Sequence, residues 1–406
     1  MQNGGRFIVI AGISSGCLGI LYFLSLVLHI PFFITVVLAV AAIFLFSRWL
    51  FTGVVGADAE KTAYPFLAIL LLILGIFLLV YGSYPLAVKH GGWDAWAFWN
   101  LHAKYLADPL NWRKLFTNKV GDHPDYPLLL PGVSAFFIRL TGGYGYTIIP
   151  FIFSFSIMLF IPVLIYLENL EKNIIVAGLV LLFFATNTFY LSNGVAQYAD
   201  IPLAFFFLCA LICVNHVPEN KTNVIITAAC LGCCMWTKNE GLILAAIFIL
   251  FHARTLFLGG NALYFISALA VPVIVLMVFK IFYAPNNDMF SAQGRDTFSQ
   301  VFMTDRYKLI YKYFSMALNE KFYFVKVAFF SYLALCIIER QWPGKQMLML
   351  IDCMAAYMMV YVLSVEYLEW HLVTSIDRLM LQLMPAMMYV IARRFSGFRL
   401  PKQQAL

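Results

Sequence analysis

The chain is dominated by apolar runs about as long as a bilayer's hydrocarbon is thick. About 20 helical residues cross roughly 30 Å, and runs of that kind recur from near the N-terminus to residue 392. In hydrocarbon every backbone polar group must be satisfied internally, so only helices or a closed barrel can span it. The short alternating strands of a barrel are absent. Charged residues are 12% of the chain and hydrophobic ones 63%, where a soluble domain carries about a quarter charged. That excludes a soluble enzyme, a disordered chain and a coiled coil. The expected fold is all-α, a polytopic integral membrane protein.

Spans are expected at 7–30, 32–48, 64–84, 145–167, 173–191, 201–216, 222–237, 241–258, 262–283, 322–338, 346–365 and 372–392, about twelve in all. Pro31 marks a tight hairpin between the first two. The first run lacks a small-residue cleavage site and reads as a retained span. Two segments break the rhythm. Segment 85–144 is polar and aromatic and includes an apolar stretch from Leu128 to Leu140. That stretch is too short to span and should lie in the interface or dip partly inward. Segment 284–321 is rich in Asn, Asp, Arg, Lys and Tyr. The expected organisation is 1–63 as two extra N-terminal helices and 64–392 as the main transmembrane unit. Within it 85–144 and 284–321 form the external loops, and 393–406 is a basic cytoplasmic tail.

Net charge is +7. The basic residues sit between spans, so topology and anionic lipid explain them better than nucleic acid. Cys230, Cys233 and Cys234 lie close together, but no His or second Cys pair accompanies them. They read as small packing residues, not as a metal site.

One face collects the ionisable residues. Asp94, His102, Asp122, His123 and Asp125 fall in the first long loop, and Asp200 follows Gln197-Tyr198-Ala199. Lys238, Asn239 and Glu240 occupy the next turn on that side. Asp288, Arg295 and Asp296 lie in the second long loop, then Glu366, Glu369, His371, Asp377 and Arg378 at the last turn. Charges at mid-bilayer cost about 2–3 kcal/mol each. Snorkelling at loop ends accounts for single residues but explains the asymmetry poorly.

In the first loop, Gly91-Gly92 precedes a helix with Asp94 at its start. There the helix dipole favours a carboxylate, and a plain N-cap is the bland alternative. Trp96 and Trp99, three apart, are expected on one helical face as an interfacial anchor. Pro124 and Pro127 should hold His123 and Asp125 on an extended, rigid frame. Two carboxylates and a His in one surface loop suit a general base or a divalent-cation site.

These motifs resemble the GT-C superfamily of polyprenyl-phosphate-sugar-dependent glycosyltransferases. The nearest branch holds the protein O-mannosyltransferases and the bacterial aminoarabinose transferase of lipid A. Asp94, Phe98, Ala103 and Tyr105 are similar to the family's acid, aromatic, alanine and tyrosine pattern. His123-Pro124-Asp125-Tyr126-Pro127-Leu128 looks like its Pro-Tyr-type motif, and Tyr198-Ala199-Asp200 like its second acidic turn. Thr237-Lys238-Asn239-Glu240-Gly241 and Asp377-Arg378-Leu379 through Pro385 resemble its later turns. Many relatives have adjacent acids at the first site, whereas Asp94 precedes Ala95.

The resemblance implies transfer of a sugar from a polyprenyl (undecaprenyl) phosphate to a glycan, lipid or protein acceptor. The active site would face the periplasm from a bacterial inner membrane. It makes Asp94 the catalytic carboxylate, acting as general base in an inverting displacement. Asp125 and Asp200 would complete the catalytic set, orienting the acceptor or holding a cation, and a retaining route with Asp125 as nucleophile stays open. Arg378, then Lys238 and Arg295, would stabilise the leaving phosphate. His102, His123, Tyr126, Tyr198, Glu240 and His371 would contact the acceptor or support the site. Metal dependence stays open; a divalent metal ion would take Asp125, His123 and Asp200 as ligands. The competing readings are a polytopic transporter and an O-antigen ligase or polymerase.

Overall fold

The structure, a computed structural model, describes residues 3–52, 65–117, 123–218, 220–285, 298–364 and 366–398. Those residues form helices and connecting turns and no strand. The helices are α1 (Asn3–Val27), α2 (Phe32–Thr52), α3 (Phe66–Ser83), α4 (Asn100–Ala107), α5 (Leu129–Leu140), α6 (Ile148–Leu170), α7 (Ile174–Thr186) and α8 (Thr188–Val195). They continue with α9 (Asp200–Asn215), α10 (Thr222–Thr237), α11 (Glu240–Phe257), α12 (Ala262–Phe282), α13 (Thr304–Glu320), α14 (Tyr323–Ile338), α15 (Lys345–Val362) and α16 (Leu368–Gly397).

Among the described residues seven helices are long and apolar enough to cross a membrane, or up to nine if each of two bent pairs is one span. The twelve expected segments are all helical, but length and composition alone do not qualify all twelve. At 1.5 Å per residue the 16-residue α9 and α10 are about 24 Å long, short of the hydrocarbon thickness. The expected span at 173–191 is broken: α7 and α8 meet at 64°. The break is written in Asn187, whose side chain accepts from Tyr190 N–H at 2.9 Å and so starts a new helix. Likewise α13 and α14 meet at 94°.

α9 is the centre of the bundle. Every residue from Asp200 to Val214 is buried, as its all-round apolar sequence requires. It packs between α6, α10 and α16. Small residues let its neighbours close in: a Cβ on Gly12 of α1 would lie 2.2 Å from the Phe205 ring, and one on Gly232 of α10 would lie 2.3 Å from Pro272 of α12. By contrast α2 and α3 expose large apolar side chains such as Phe33, Phe44, Phe66 and Phe77, the pattern of a lipid-facing surface. All cysteines but Cys17 are buried in the bundle, and none is in a disulfide.

The short apolar stretch forms α5, whose residues from Leu129 to Phe136 are buried, mostly against α1 and α4. Gly19 and Gly132 make the α1–α5 approach possible, since a Cβ on either would sit 3.0–3.1 Å from the other helix's carbonyl oxygens. The Tyr22 hydroxyl donates to Leu106 O at 2.7 Å, fastening α4 to the same helix. The first loop is thereby anchored inside the bundle, and its polar residues inherit a fixed position.

Candidate functional site

The site is organised by Asp200, the first residue of α9, which is fully buried. A buried carboxylate demands compensation, and four donors supply it. Arg378 of α16 gives Nε and Nη2 to Oδ2 at 2.9 and 2.8 Å. Lys238 Nζ lies 3.0 Å from Oδ1, and Gln382 Nε2 donates to the same oxygen at 2.6 Å. Arg378 and Gln382 are one turn apart on α16 and so reach the same point. The Tyr357 hydroxyl donates to Gln382 Oε1 at 2.6 Å and orients that amide.

The Arg378 guanidinium bridges two acids. Its Nη1 is 2.5 Å from Asp94 Oδ2, and its plane lies over the Tyr198 ring at 4.7 Å. Asp94 precedes a π-helical turn, Ala95–Trp99, that runs straight into α4, and its side chain makes no capping hydrogen bond. The N-cap reading of Asp94 is therefore wrong: the carboxylate turns away from its own helix to Arg378. A π-turn also rotates successive residues differently from an α-helix, and the Trp pair expected on one face is split. Trp96 is exposed, while Trp99 is fully buried and stacked on Tyr126 with ring centroids 5.5 Å apart. Two contacts set this loop against the 196–200 turn. Gly92 N–H donates to Ala196 O at 2.9 Å, and Asn100 donates to Gln197 Oε1 at 2.7 Å. Glycine at 92 leaves room for Tyr198, whose hydroxyl would lie 2.2 Å from a Cβ there.

Lys238 caps the end of α10 and pairs with Glu240 as well, at 2.8 Å. Burial works against its charge, but Asp200 and Glu240 outweigh that and hold the ammonium above the usual lysine range. Its charge also lies 5.9 Å over the Tyr126 ring. Asn239, the next residue, donates to Asp125 Oδ2 at 2.9 Å. Lys280, at the last turn of α12, donates to Asp125 O at 2.5 Å and to Asn239 Oδ1 at 2.8 Å. The segment carrying Asp125 is not extended. His123 sits at φ 51°, and Tyr126 N–H returns to His123 O at 3.0 Å, so Pro124 occupies the second position of a tight turn. His123 stacks on Tyr126 at 4.8 Å.

Asp94, Asp125, Asp200, Lys238, Glu240, Arg378, Tyr126, Tyr198 and His123 thus form one connected assembly from four distant stretches of chain. No family model, curated protein or solved structure matches the chain. Some expected members lie elsewhere. His102 is buried in α4 beside Phe98. His371 bonds Ser364 Oγ at 2.8 Å at the last turn. Arg295, Asp122, Asp288 and Asp296 lie outside the described residues. Among the described residues no three His, Cys, Asp or Glu side chains group as a metal site. Asp125, His123 and Asp200 are therefore not gathered as ligands, and both Asp200 oxygens already face cationic or amide donors.

Sequence reasoning placed Asn239 on this face without giving it a role, and missed Gln382 and Lys280. Gln382 was readable as the polar residue one turn beyond Arg378. Lys280 was readable as the lone charge in the apolar run 262–283.

Proposed function

We propose that the chain is an integral membrane glycosyltransferase, in the twelve-span GT-C-like arrangement it resembles, with its site at the external membrane face. It moves a sugar from a polyprenyl phosphate to an acceptor hydroxyl or amine. The observation that carries this reading is the Asp94 carboxylate. It is half-buried, does no capping work, and is held by an arginine that is itself fixed to a buried aspartate. A structural ion pair has no need of a carboxylate in an aromatic surface loop, whereas a general base needs that kind of fixed orientation.

In the reaction the acceptor oxygen or nitrogen forms a bond to the anomeric carbon as the bond from that carbon to the phosphate oxygen breaks. The phosphate leaves with the electron pair, and Asp94 takes the acceptor proton. Direct displacement inverts the anomeric centre. Arg378 and Tyr198 position Asp94, and Asp200 with Gln382 positions Arg378. His123 and Tyr126, the latter backed by the buried Trp99, give the site an aromatic wall against which a sugar can lie.

A transporter is the second reading, and the two broken helix pairs are what favour it. The test is mass spectrometry of lipids co-purified with wild type and with Asp94→Asn, followed by a transfer assay on any conjugate found. The glycosyltransferase reading expects a polyprenyl-phosphate sugar that accumulates on Asp94→Asn and is consumed by wild type. Only bulk phospholipid on both proteins would overturn it and favour transport.

A further inference from the structure

A leaving phosphate needs a cation, and the two basic residues nearest Asp94 are already committed. Arg378 lies between Asp94 and Asp200, and Lys238 between Asp200 and Glu240. Those two cations answer to three carboxylates, so this part of the site carries no surplus positive charge. An anion placed against Arg378 would have to displace Asp94, the proposed base.

Lys280 is paired with a single carboxylate, Asp125, and more loosely. Its two short hydrogen bonds go to neutral oxygens, the Asp125 carbonyl and the Asn239 amide. Its carboxylate neighbour, Asp125 Oδ2, is 3.6 Å away and takes the Asn239 N–H₂ instead. An ammonium has three donors, so one remains. The side chain keeps 29% of its surface open, against 6% for Lys238 and 20% for Arg378. Lys280 is also tied to the assembly through Asn239, the residue next to Lys238. It sits two residues before the end of α12.

We propose that Lys280, rather than Arg378 or Lys238, is the cation that contacts the lipid phosphate. The assignment rests on the donor class of the proposed function. Asp125 and Asn239 hold the Lys280 ammonium in place, and its third proton goes to a phosphate oxygen. In the transfer this contact strengthens as negative charge collects on the leaving phosphate.

The experiment is binding of undecaprenyl phosphate to the full-length protein in nanodiscs, with undecaprenol as the uncharged control. Wild type is compared with Lys280→Gln and Lys280→Arg. Gln keeps donors for the Asp125 and Asn239 oxygens and removes the charge; Arg keeps the charge. The expected result is a 10–100-fold loss of phosphate binding in Lys280→Gln, the scale of a hydrogen bond to a charged group. Lys280→Arg should stay within about threefold of wild type, and undecaprenol binding should not move. Lys280→Gln binding undecaprenyl phosphate as wild type does would overturn the assignment alone. Wild type failing to prefer the phosphate over undecaprenol would overturn it together with the donor class.

Discussion

Replacing Arg378 with Met should unsettle the whole site end of the bundle, because it removes two of the four hydrogen bonds to a carboxylate with no access to water. Asp200 would keep Lys238 and Gln382, but Lys238 is shared with Glu240. Two acids would then face one cation in a buried pocket. Breaking a buried pair from one side costs about 3–5 kcal/mol. At about 2 °C per kcal/mol, the lower end of the scaling for large chains, the melting temperature should fall by about 6–10 °C. The assay is thermal unfolding of the detergent-solubilised protein, read by intrinsic fluorescence. Adding Asp200→Asn to Arg378→Met removes the stranded charge, so the double variant should recover more than about 1 kcal/mol relative to the sum of the single effects. An Arg378→Met protein melting within about 2 °C of wild type would refute the account of Asp200 as a buried anion held by Arg378.

Asp94→Asn keeps an acceptor for Arg378 at a partly open position, so its stability cost should be about 0–1 kcal/mol, while transfer falls by about 10²–10⁴-fold. Unfolding and transfer measured on one preparation would separate the two. Gly241→Ala should be the more damaging of two glycine substitutions. Its Cβ would lie 2.0 Å from the Cys234 carbonyl oxygen, where only backbone can yield, whereas at Gly92 the obstacle is the Tyr198 side chain. Detergent-extracted yield by size-exclusion chromatography should therefore rank wild type, Gly92→Ala, then Gly241→Ala. Trp99→Ala should cost about 3–5 kcal/mol by removing a fully buried ring stacked on Tyr126, and the same unfolding assay would register it.

Helix positions were legible because a span must be apolar over its length, and that requirement is local. Span number was less legible, since it depends on how much of each helix meets lipid. α9 and α10 are apolar because they are buried in protein, and sequence does not distinguish that from burial in hydrocarbon. Asn187 shows the same limit, because a capping residue inside an apolar run is visible only as one polar side chain among many. The side on which Asp94, Asp200 and Lys238 meet was legible because each lies at a loop or helix end of the same parity, whereas Arg378 lies ten residues inside α16. Their pairing was not. Asp94 and Arg378 are joined across nearly the whole chain, and no local period encodes such a contact. The orientation of Trp96 and Trp99 failed for a different reason: the spacing argument assumed 3.6 residues per turn, and the chain adopts a π-turn there.

The arrangement also explains why an acid from the first loop depends on the last helix. α4 and its preceding π-turn are too short to be stable alone, and residues 118–122 separate them from the Asp125 turn. What fixes Asp94 is a series of contacts that begins in the bundle's centre: Tyr357 to Gln382, Gln382 to Asp200, Asp200 to Arg378, Arg378 to Asp94. The first three groups are fully buried and the last two are partly open, so the rigidity of α9 is carried out to a carboxylate that a substrate can reach. A carboxylate held this way loses little freedom when a substrate arrives, which is the condition for converting binding into rate. The same series leaves Arg378 and Lys238 neutralised by their own anchors. Positive charge for an incoming anion must then come from a separate helix, and α12 places Lys280 at the edge of the assembly, tied to Asn239, with its ammonium partly open.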